Sequence, residues 1–194
     1  RESASNTRSD TIILARIDPK EKKVAMVSIP RDTRIVDSKG NSEKINSVNY
    51  VEGPEAACKA VGKLLDTDVE YYVITNFEGF GRIVDILGGV DLDVETDMYH
   101  WDVSYIIDLK KGYQHLDGDK ALQYVRYRGG PTADIGRTQR QQKFIKALAK
   151  EIFQAKTIFK LPSLIPEINK CVKTNIPLKD MVYMAKMASS FDTG

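Results

Sequence analysis

The residues best equipped for chemistry are arginines and aspartates gathered in a few short stretches. Arg8-Ser9-Asp10-Thr11 is followed by Ile29-Pro30-Arg31-Asp32-Thr33, and further on Tyr124-Val125-Arg126-Tyr127-Arg128 precedes a Gly-Gly-Pro loop. After that loop comes Asp134-Ile135-Gly136-Arg137-Thr138-Gln139-Arg140-Gln141. Arg8, Arg31, Arg126, Arg128, Arg137 and Arg140 stand against Asp10, Asp32 and Asp134, an excess of three positive charges. Two guanidinium groups about 8 Å apart repel by roughly 2 kcal/mol at an effective dielectric of about 20. If these side chains share a pocket, they require a multiply charged anion. Each charge-assisted hydrogen bond to it contributes about 1.5–3 kcal/mol net, and the planar guanidinium fork matches phosphate oxygens. An aspartate among them suits a magnesium ion bridging carboxylate and phosphate. The chemistry expected is diphosphate binding, on the condition that the two groups meet. The plainer alternative at the first group is a pair of surface salt bridges, each worth about 0–1 kcal/mol. At the second it is a helix-start cluster paired to acids elsewhere.

Two elements must position these residues. Thr11–Ile17 and Val24–Ile29 are apolar runs separated by Asp18-Pro19-Lys20-Glu21-Lys22-Lys23, which reads as a β-hairpin closed at Pro30. A loop centred between Lys20 and Glu21 pairs Thr11 with Pro30 and brings Asp10 to Arg31. Both strands are apolar at nearly every position, so burial on both faces is expected. The second element is a helix over 137–153 with Asp134 as its N-cap, which places Arg137 at the third helical position. Arginine there opposes the positive N-terminal end of the macrodipole, so Arg137 and Arg140 need an anion. Arg137 and Gln141 continue the stripe of Ile145, Leu148 and Ile152, and are expected to point inward with it.

The rest of the chain completes an α/β pattern. Helices are expected over 53–65, 77–87 and 117–127, strands over 69–75 and 90–94, and two short helices within 160–191; residues 95–111 are ambiguous. The expected class is α/β, a central mixed β-sheet flanked by helices on both sides, and residues 1–194 are taken as a single domain. With 29 basic and 27 acidic residues the net charge is +2, which excludes a strongly cationic nucleic-acid coat. Cys58 and Cys171 lie far apart, and His100 and His115 lack partners at ligand spacing, so a zinc site is not expected. The cysteines read as two buried free thiols, with one disulfide as the alternative. No run of 18 apolar residues is present.

Taken in order, these stretches resemble the LytR-CpsA-Psr (LCP) family of cell-wall glycopolymer ligases. The matching segments are Arg8-Ser9-Asp10-Thr11, Ser28-Ile29-Pro30-Arg31-Asp32-Thr33, and Lys44-Ile45-Asn46 with Asn49-Tyr50. They continue with Val84-Asp85-Ile86-Leu87-Gly88-Gly89-Val90, Leu116-Asp117-Gly118 with Ala121-Leu122, Tyr124 to Arg128, and Asp134 to Arg137 with Arg140-Gln141. The resemblance implies an LCP-type sandwich with an apolar hollow for a polyprenyl chain, and a diphosphate head held by arginines and magnesium. Asp10 would be a metal ligand or would orient one. Arg8, Arg31, Arg126, Arg128, Arg137 and Gln141 would hold the diphosphate, supported by Lys44 and Arg140. Asp32 or Asp10 would take the hydroxyl proton of the acceptor, or Asp32 and Asp134 would instead orient the arginines. The family's apolar strand ending in Gly-x-Asp, and its membrane anchor, would precede residue 1, since the chain opens on Arg1-Glu2-Ser3-Ala4-Ser5 as an excised fragment would.

The implied activity is phosphotransfer of a glycopolymer (teichoic acid, capsule or secondary wall polysaccharide) from a polyprenyl-diphosphate carrier to peptidoglycan. It would take place on the outer face of the cytoplasmic membrane. The alternatives are a polyprenyl-diphosphate pyrophosphatase or lipid-binding protein, and a non-catalytic regulator; no nucleic-acid partner is expected. Among the remaining residues, Tyr71 and Tyr72 read as strand residues packed in the core. Trp101 reads as a packing anchor, with sugar stacking as its alternative. Asp85 reads as a cap partner or as a group supporting the site. Met181, Met184 and Met187 read as one packed helix face.

Overall fold

The computed structural model describes residues 8–18, 20–21, 23–36, 40–129, 133–152 and 164–188. In chain order its elements are β1 (Ile12–Asp18), β2 (Lys23–Ile29), β3 (Arg34–Val36), β4 (Ser42–Lys44), α1 (Ile45–Val51), α2 (Pro54–Leu65), β5 (Val73–Thr75) and α3 (Phe77–Leu87). They continue with β6 (Val90–Val94), β7 (Met98–Trp101), β8 (Ile106–Leu109), β9 (Gly112–Leu116), α4 (Gly118–Arg126) and α5 (Ala133–Ile152). A helix over 164–169 (α6), then β10 (Val172–Thr174) and α7 (Leu178–Ala188), complete the order. The class is mixed α/β. Among the described residues the strands pair as five two-stranded antiparallel ladders, β1–β2, β3–β4, β5–β10, β6–β9 and β7–β8. The chain forms two compact units, one of residues 1–75 with 172–181 and one of residues 76–171 with 182–194.

The first unit is organised by the β1–β2 hairpin. Ile12 pairs with Ile29 and Ile17 with Val24, the register expected from the sequence. Asp18 closes the loop: its Oδ1 accepts from the amides of Lys20 and Glu21, each at 3.0 Å. The expectation of burial on both faces is corrected here. Ile12, Leu14 and Ile29 join a core with Ile35, Ile45, Val61 and Val69, while Ile17, Val24 and Val27 are exposed. The strand expected over 69–75 shrinks to Val73–Thr75. Tyr71 and Tyr72 are accordingly not core strand residues. Their hydroxyls donate to Asp180 Oδ2 (3.3 Å) and Glu55 Oε1 (3.1 Å).

The second unit has the larger core, built on Val84, Met98, Ile107, Leu116, Tyr124 and Phe144. Alternation holds in β6, where Val90, Leu92 and Val94 are buried and Asp91 and Asp93 are exposed. The ambiguous stretch 95–111 is the β7–β8 hairpin. α3 begins on Asn76, whose side chain accepts from the Gly79 amide, and ends on Gly88 in the left-handed region (φ 90°). α4 begins on Asp117, which accepts from the Lys120 amide at 2.9 Å, and carries Arg126 in its last turn, where a cation suits the dipole. α3 and α4 approach through glycines: a Cβ on Gly118 would stand 2.3 Å from the Gly81 carbonyl oxygen. Asp85 Oδ1 accepts from the Gly118 amide at 2.7 Å, which makes Asp85 the cap partner of α4. Trp101, read as a packing anchor, is 64% exposed on β7. Cys58 and Cys171 are both free thiols. Met181 and Met184 are half-buried on α7, and the side chain of Met187 lies outside the described residues.

Candidate functional site

In the first unit, the open end of the hairpin is stitched to the start of α1. Beyond the last ladder pair, Thr33 donates to the Pro30 carbonyl from both its amide (2.9 Å) and its hydroxyl (2.7 Å), closing a tight turn over Arg31 and Asp32. The Arg31 carbonyl accepts from the Asn46 amide at 3.2 Å, and the Asn46 carbonyl accepts from the Ser9 amide at 3.1 Å. Asn46 thus ties the two candidate segments to each other through its own backbone, while Ile45 beside it is buried in the core. The side chains form a relay. Arg31 Nη1 donates to Asp10 Oδ1 at 2.6 Å, Arg31 Nε lies 3.7 Å from Asp32 Oδ2, and Lys44 Nζ donates to Asp32 Oδ1 at 2.6 Å. Every member is about half exposed, so each ion pair alone contributes little to stability. The Lys44 hydrogen bond holds the Asp32 carboxyl below its ordinary value, with the Lys44 and Arg31 charges adding to the effect. A carboxylate held that way is a weak proton acceptor. Arg8 is exposed at the head of the same segment.

A magnesium ion can be tested against this donor set. Asp10 offers a hard oxygen donor on an exposed carboxylate, 60% accessible, that one arginine already contacts. Among the described residues no cluster of three His, Cys, Asp or Glu side chains could cage a metal. Magnesium is commonly held by one or two carboxylates together with substrate phosphates and water. The residues present fit a magnesium ion shared with a phosphate, and do not fit a cage made by the protein alone.

In the second unit the arginines of α4 and α5 divide into distinct environments. α5 is helical from Ala133, so Asp134 lies inside it rather than capping it, and Arg137 sits in its second turn. The dipole argument for Arg137 and Arg140 weakens accordingly. The buried line of α5 is Gly136, Arg140 and Phe144, one position away from the stripe expected to carry Arg137 and Gln141. Arg137, Gln141, Ile145, Leu148 and Ile152 flank it, half-buried. Arg140 is the buried member, 6% exposed. Its Nη2 donates to the Tyr127 carbonyl at 2.7 Å, its Nη1 lies 3.7 Å from Glu95 Oε1, and its guanidinium sits 5.2 Å from the Tyr127 ring. Gln141 Nε2 donates to the Val125 carbonyl at 3.3 Å. Arg140 and Gln141 thereby hold the C-terminal end of α4 and the segment after it, which carries Arg126 and the exposed Arg128. The side chain of Asp134 lies outside the described residues.

Glu95, which sequence reasoning left in an ambiguous stretch, anchors this arrangement. Its carboxylate accepts from the Tyr124 hydroxyl at 2.9 Å and pairs with Lys143 at 3.4 Å and with Arg140. Burial pushes the Glu95 carboxyl up, but a backbone amide, the Tyr124 hydroxyl and Lys143 together bring it below its ordinary value. Burial first, and then Glu95, push the Tyr124 phenol well up. Arg126 is different again. Its guanidinium carbon lies 3.8 Å from the Tyr105 ring centroid and 4.7 Å from that of Phe77. Neither ring was singled out from the sequence, because both are remote from Arg126 along the chain.

Comparison with known proteins agrees with these elements. Over residues 1–193 the chain matches the profile of the LytR_cpsA_psr family. It is 34% identical over 191 residues to the polyisoprenyl-teichoic acid–peptidoglycan teichoic acid transferase TagV of Bacillus subtilis (strain 168), covering 95% of this chain and 49% of the relative. The crystal structure of B. subtilis TagV superposes with a TM-score of 0.84 at 32% identity, covering 100% of this chain and 76% of that one. Regulatory protein MsrR of Staphylococcus aureus (strain COL) is 36% identical over 173 residues, covering 88% of this chain and 52% of the relative. TagT bound to LI-WTA superposes with a TM-score of 0.79 at 30% identity, covering 95% of this chain and 70% of that one. The chain spans about half the length of the curated relatives it matches. With the profile matched along almost its whole length and the Asp10–Arg31–Asp32–Lys44 relay formed by the residues that carry the likeness, the chain belongs to the LytR_cpsA_psr (LytR-CpsA-Psr) family.

Proposed function

We propose that this chain is the catalytic domain of a phosphotransferase that attaches a glycopolymer, carried on a polyprenyl diphosphate, to peptidoglycan. The supporting observation is the relay of Asp10, Arg31, Asp32 and Lys44, formed in a chain similar to TagV, a protein named as a teichoic acid–peptidoglycan transferase. TagT, also similar, has been solved bound to LI-WTA. Taken unit by unit, Arg8, Arg31 and Lys44, and separately Arg126, Arg128, Arg137 and Gln141, are the residues we propose as phosphate-binding groups. Arg140 is assigned to support, because its donors are engaged by Tyr127 and Glu95.

In the reaction an acceptor sugar hydroxyl attacks the phosphorus that carries the glycopolymer. The bond from that phosphorus to the bridging oxygen breaks, and polyprenyl phosphate leaves. The arginines neutralise charge as it moves onto the leaving phosphate, the kind of fixed electrostatic stabilisation on which phosphoryl transfer depends. Asp10 would hold magnesium, which supplies further neutralisation of the phosphates when bound. Asp32, kept anionic by Lys44, orients Arg31 and Lys44, and Asp32 or Asp10 would take the hydroxyl proton. We assign the chain to the outer face of the cytoplasmic membrane, held there by a segment outside these residues. Among the described residues no helix is long and apolar enough to cross a membrane.

The test is transfer from a polyprenyl-diphosphate-linked glycan with and without a peptidoglycan fragment. Product that depends on the acceptor, and its loss in folded Arg31→Ala and Arg137→Ala variants, is the expected result. Polyprenyl phosphate released at the same rate without acceptor identifies a hydrolase instead. Normal transfer by the folded variants rejects the residue assignment. A regulatory role, which the name of MsrR raises, predicts neither product.

A further inference from the structure

Arg126 differs from the other candidate arginines in having two aromatic rings against its guanidinium. The Tyr105 ring centroid lies 3.8 Å from its guanidinium carbon and that of Phe77 4.7 Å, and the His100 ring centroid lies 5.3 Å from that of Tyr105. Among the described residues the Arg126 side chain has no hydrogen bond and no carboxylate within 4 Å; beside the two rings it feels the charge of Asp102, in the same loop as Tyr105. It is half-buried nonetheless. All five of its N–H donors lie in the guanidinium plane. A guanidinium packed against aromatic rings therefore still has its in-plane N–H donors for another partner.

The two rings come from elements fixed independently. Phe77 opens α3, directly after the Asn76 cap that holds the Gly79 amide at 2.7 Å. Tyr105 ends the β7–β8 loop, which closes on itself: the Asp102 amide donates to the Tyr105 carbonyl at 3.1 Å, and Asp102 Oδ1 accepts from the amide and the hydroxyl of Ser104. Tyr105 also packs against the core of the unit. Arg126 itself stands on the last turn of α4, whose end Arg140 and Gln141 hold through the Tyr127 and Val125 carbonyls. A stack assembled from three separately anchored elements is preorganised. It restrains a long side chain whose ordering would otherwise cost rotamer entropy on binding.

We propose that Tyr105 and Phe77 are positioning residues that clamp the Arg126 guanidinium so that its N–H edge is presented to a phosphate of the substrate. This inference rests on the assignment of Arg126 to the diphosphate above. The test measures binding of farnesyl diphosphate by calorimetry to the intact chain and to Arg126→Ala, Tyr105→Leu, Tyr105→Phe and Phe77→Leu, with thermal unfolding of each recorded alongside. Tyr105→Leu and Phe77→Leu are each expected to weaken binding by about 3–30-fold, the range of a partly desolvated cation–π contact. Tyr105→Phe keeps the ring and stays within about two-fold of the parent. Adding Tyr105→Leu to Arg126→Ala produces no further loss, because the ring acts only through the arginine. If Tyr105→Leu and Phe77→Leu remain folded and bind as tightly as the parent while Arg126→Ala loses affinity, the clamp is refuted and the diphosphate assignment stands. If Arg126→Ala itself binds normally, both fall.

Discussion

Replacing Arg140 with methionine separates support from ligand binding at the second cluster. Arg140 is 6% exposed, so its contacts are read in a poorly solvated setting. Its hydrogen bond to the Tyr127 carbonyl is charge-assisted, worth about 1.5–3 kcal/mol net. Its stack on the Tyr127 ring at 5.2 Å adds about 0.5–1 kcal/mol. The pair with Glu95 is longer, at 3.7 Å, and Glu95 keeps Lys143 and the Tyr124 hydroxyl, so that contact adds about 0–1 kcal/mol. Methionine preserves much of the apolar volume, so a cavity is a minor part of the change. The expected loss is about 2–5 kcal/mol, which for a chain of this size lowers Tm by roughly 4–20 °C. Circular dichroism melts and urea titration of parent and variant provide the assay. A variant that melts within a degree or two of the parent would refute the supporting role, and Arg140 would then belong with the residues proposed to contact phosphate.

Asp32 titrates below its ordinary value because Lys44 donates to it, so its contribution to stability is in place above about pH 3.9 and fades as pH falls through the lower folded value. Lys44→Met should move the Asp32 midpoint up towards the ordinary carboxylate range in a carbon-detected NMR titration; an unmoved midpoint contradicts the relay. Gly118→Ala places a methyl 2.3 Å from the Gly81 carbonyl oxygen and 2.8 Å from Asp85 Oδ2, so α3 and α4 must separate. The expected cost is at least about 1–3 kcal/mol in a thermal melt, and an unchanged Tm would show that the two helices are not this close.

Local rules made much of the fold legible. The hairpin register followed from the polar loop around Lys20 and Glu21, and it placed Asp10 opposite Arg31, where the two form an ion pair. The helices expected over 77–87 and 117–127 match α3 and α4 to within a residue at each end, because helix signals act within a few residues of themselves. The failures have physical causes. Apolar content in β1 and β2 says nothing about how many faces the rest of the chain covers. On α5 a buried arginine breaks the apolar stripe, so periodicity picked the flanking line of Ile145 and Leu148 over that of Gly136, Arg140 and Phe144. The backbone bridge at Asn46 and the stack of Tyr105, Arg126 and Phe77 join segments distant along the chain. No local signal in the sequence encodes such a contact. The two arginine clusters could be found from residue type and spacing, whereas which of their members are already engaged by the protein required coordinates.

Calorimetric titration with farnesyl diphosphate and, separately, farnesyl monophosphate tests the central claim most directly, using the parent chain, Arg31→Ala and Arg137→Ala. Binding that favours the diphosphate, and that falls by about ten-fold or more in each folded variant, is the predicted result. Equal affinity for the two lipids, or parent-like binding by either variant, would contradict the assignment of a diphosphate to these arginines.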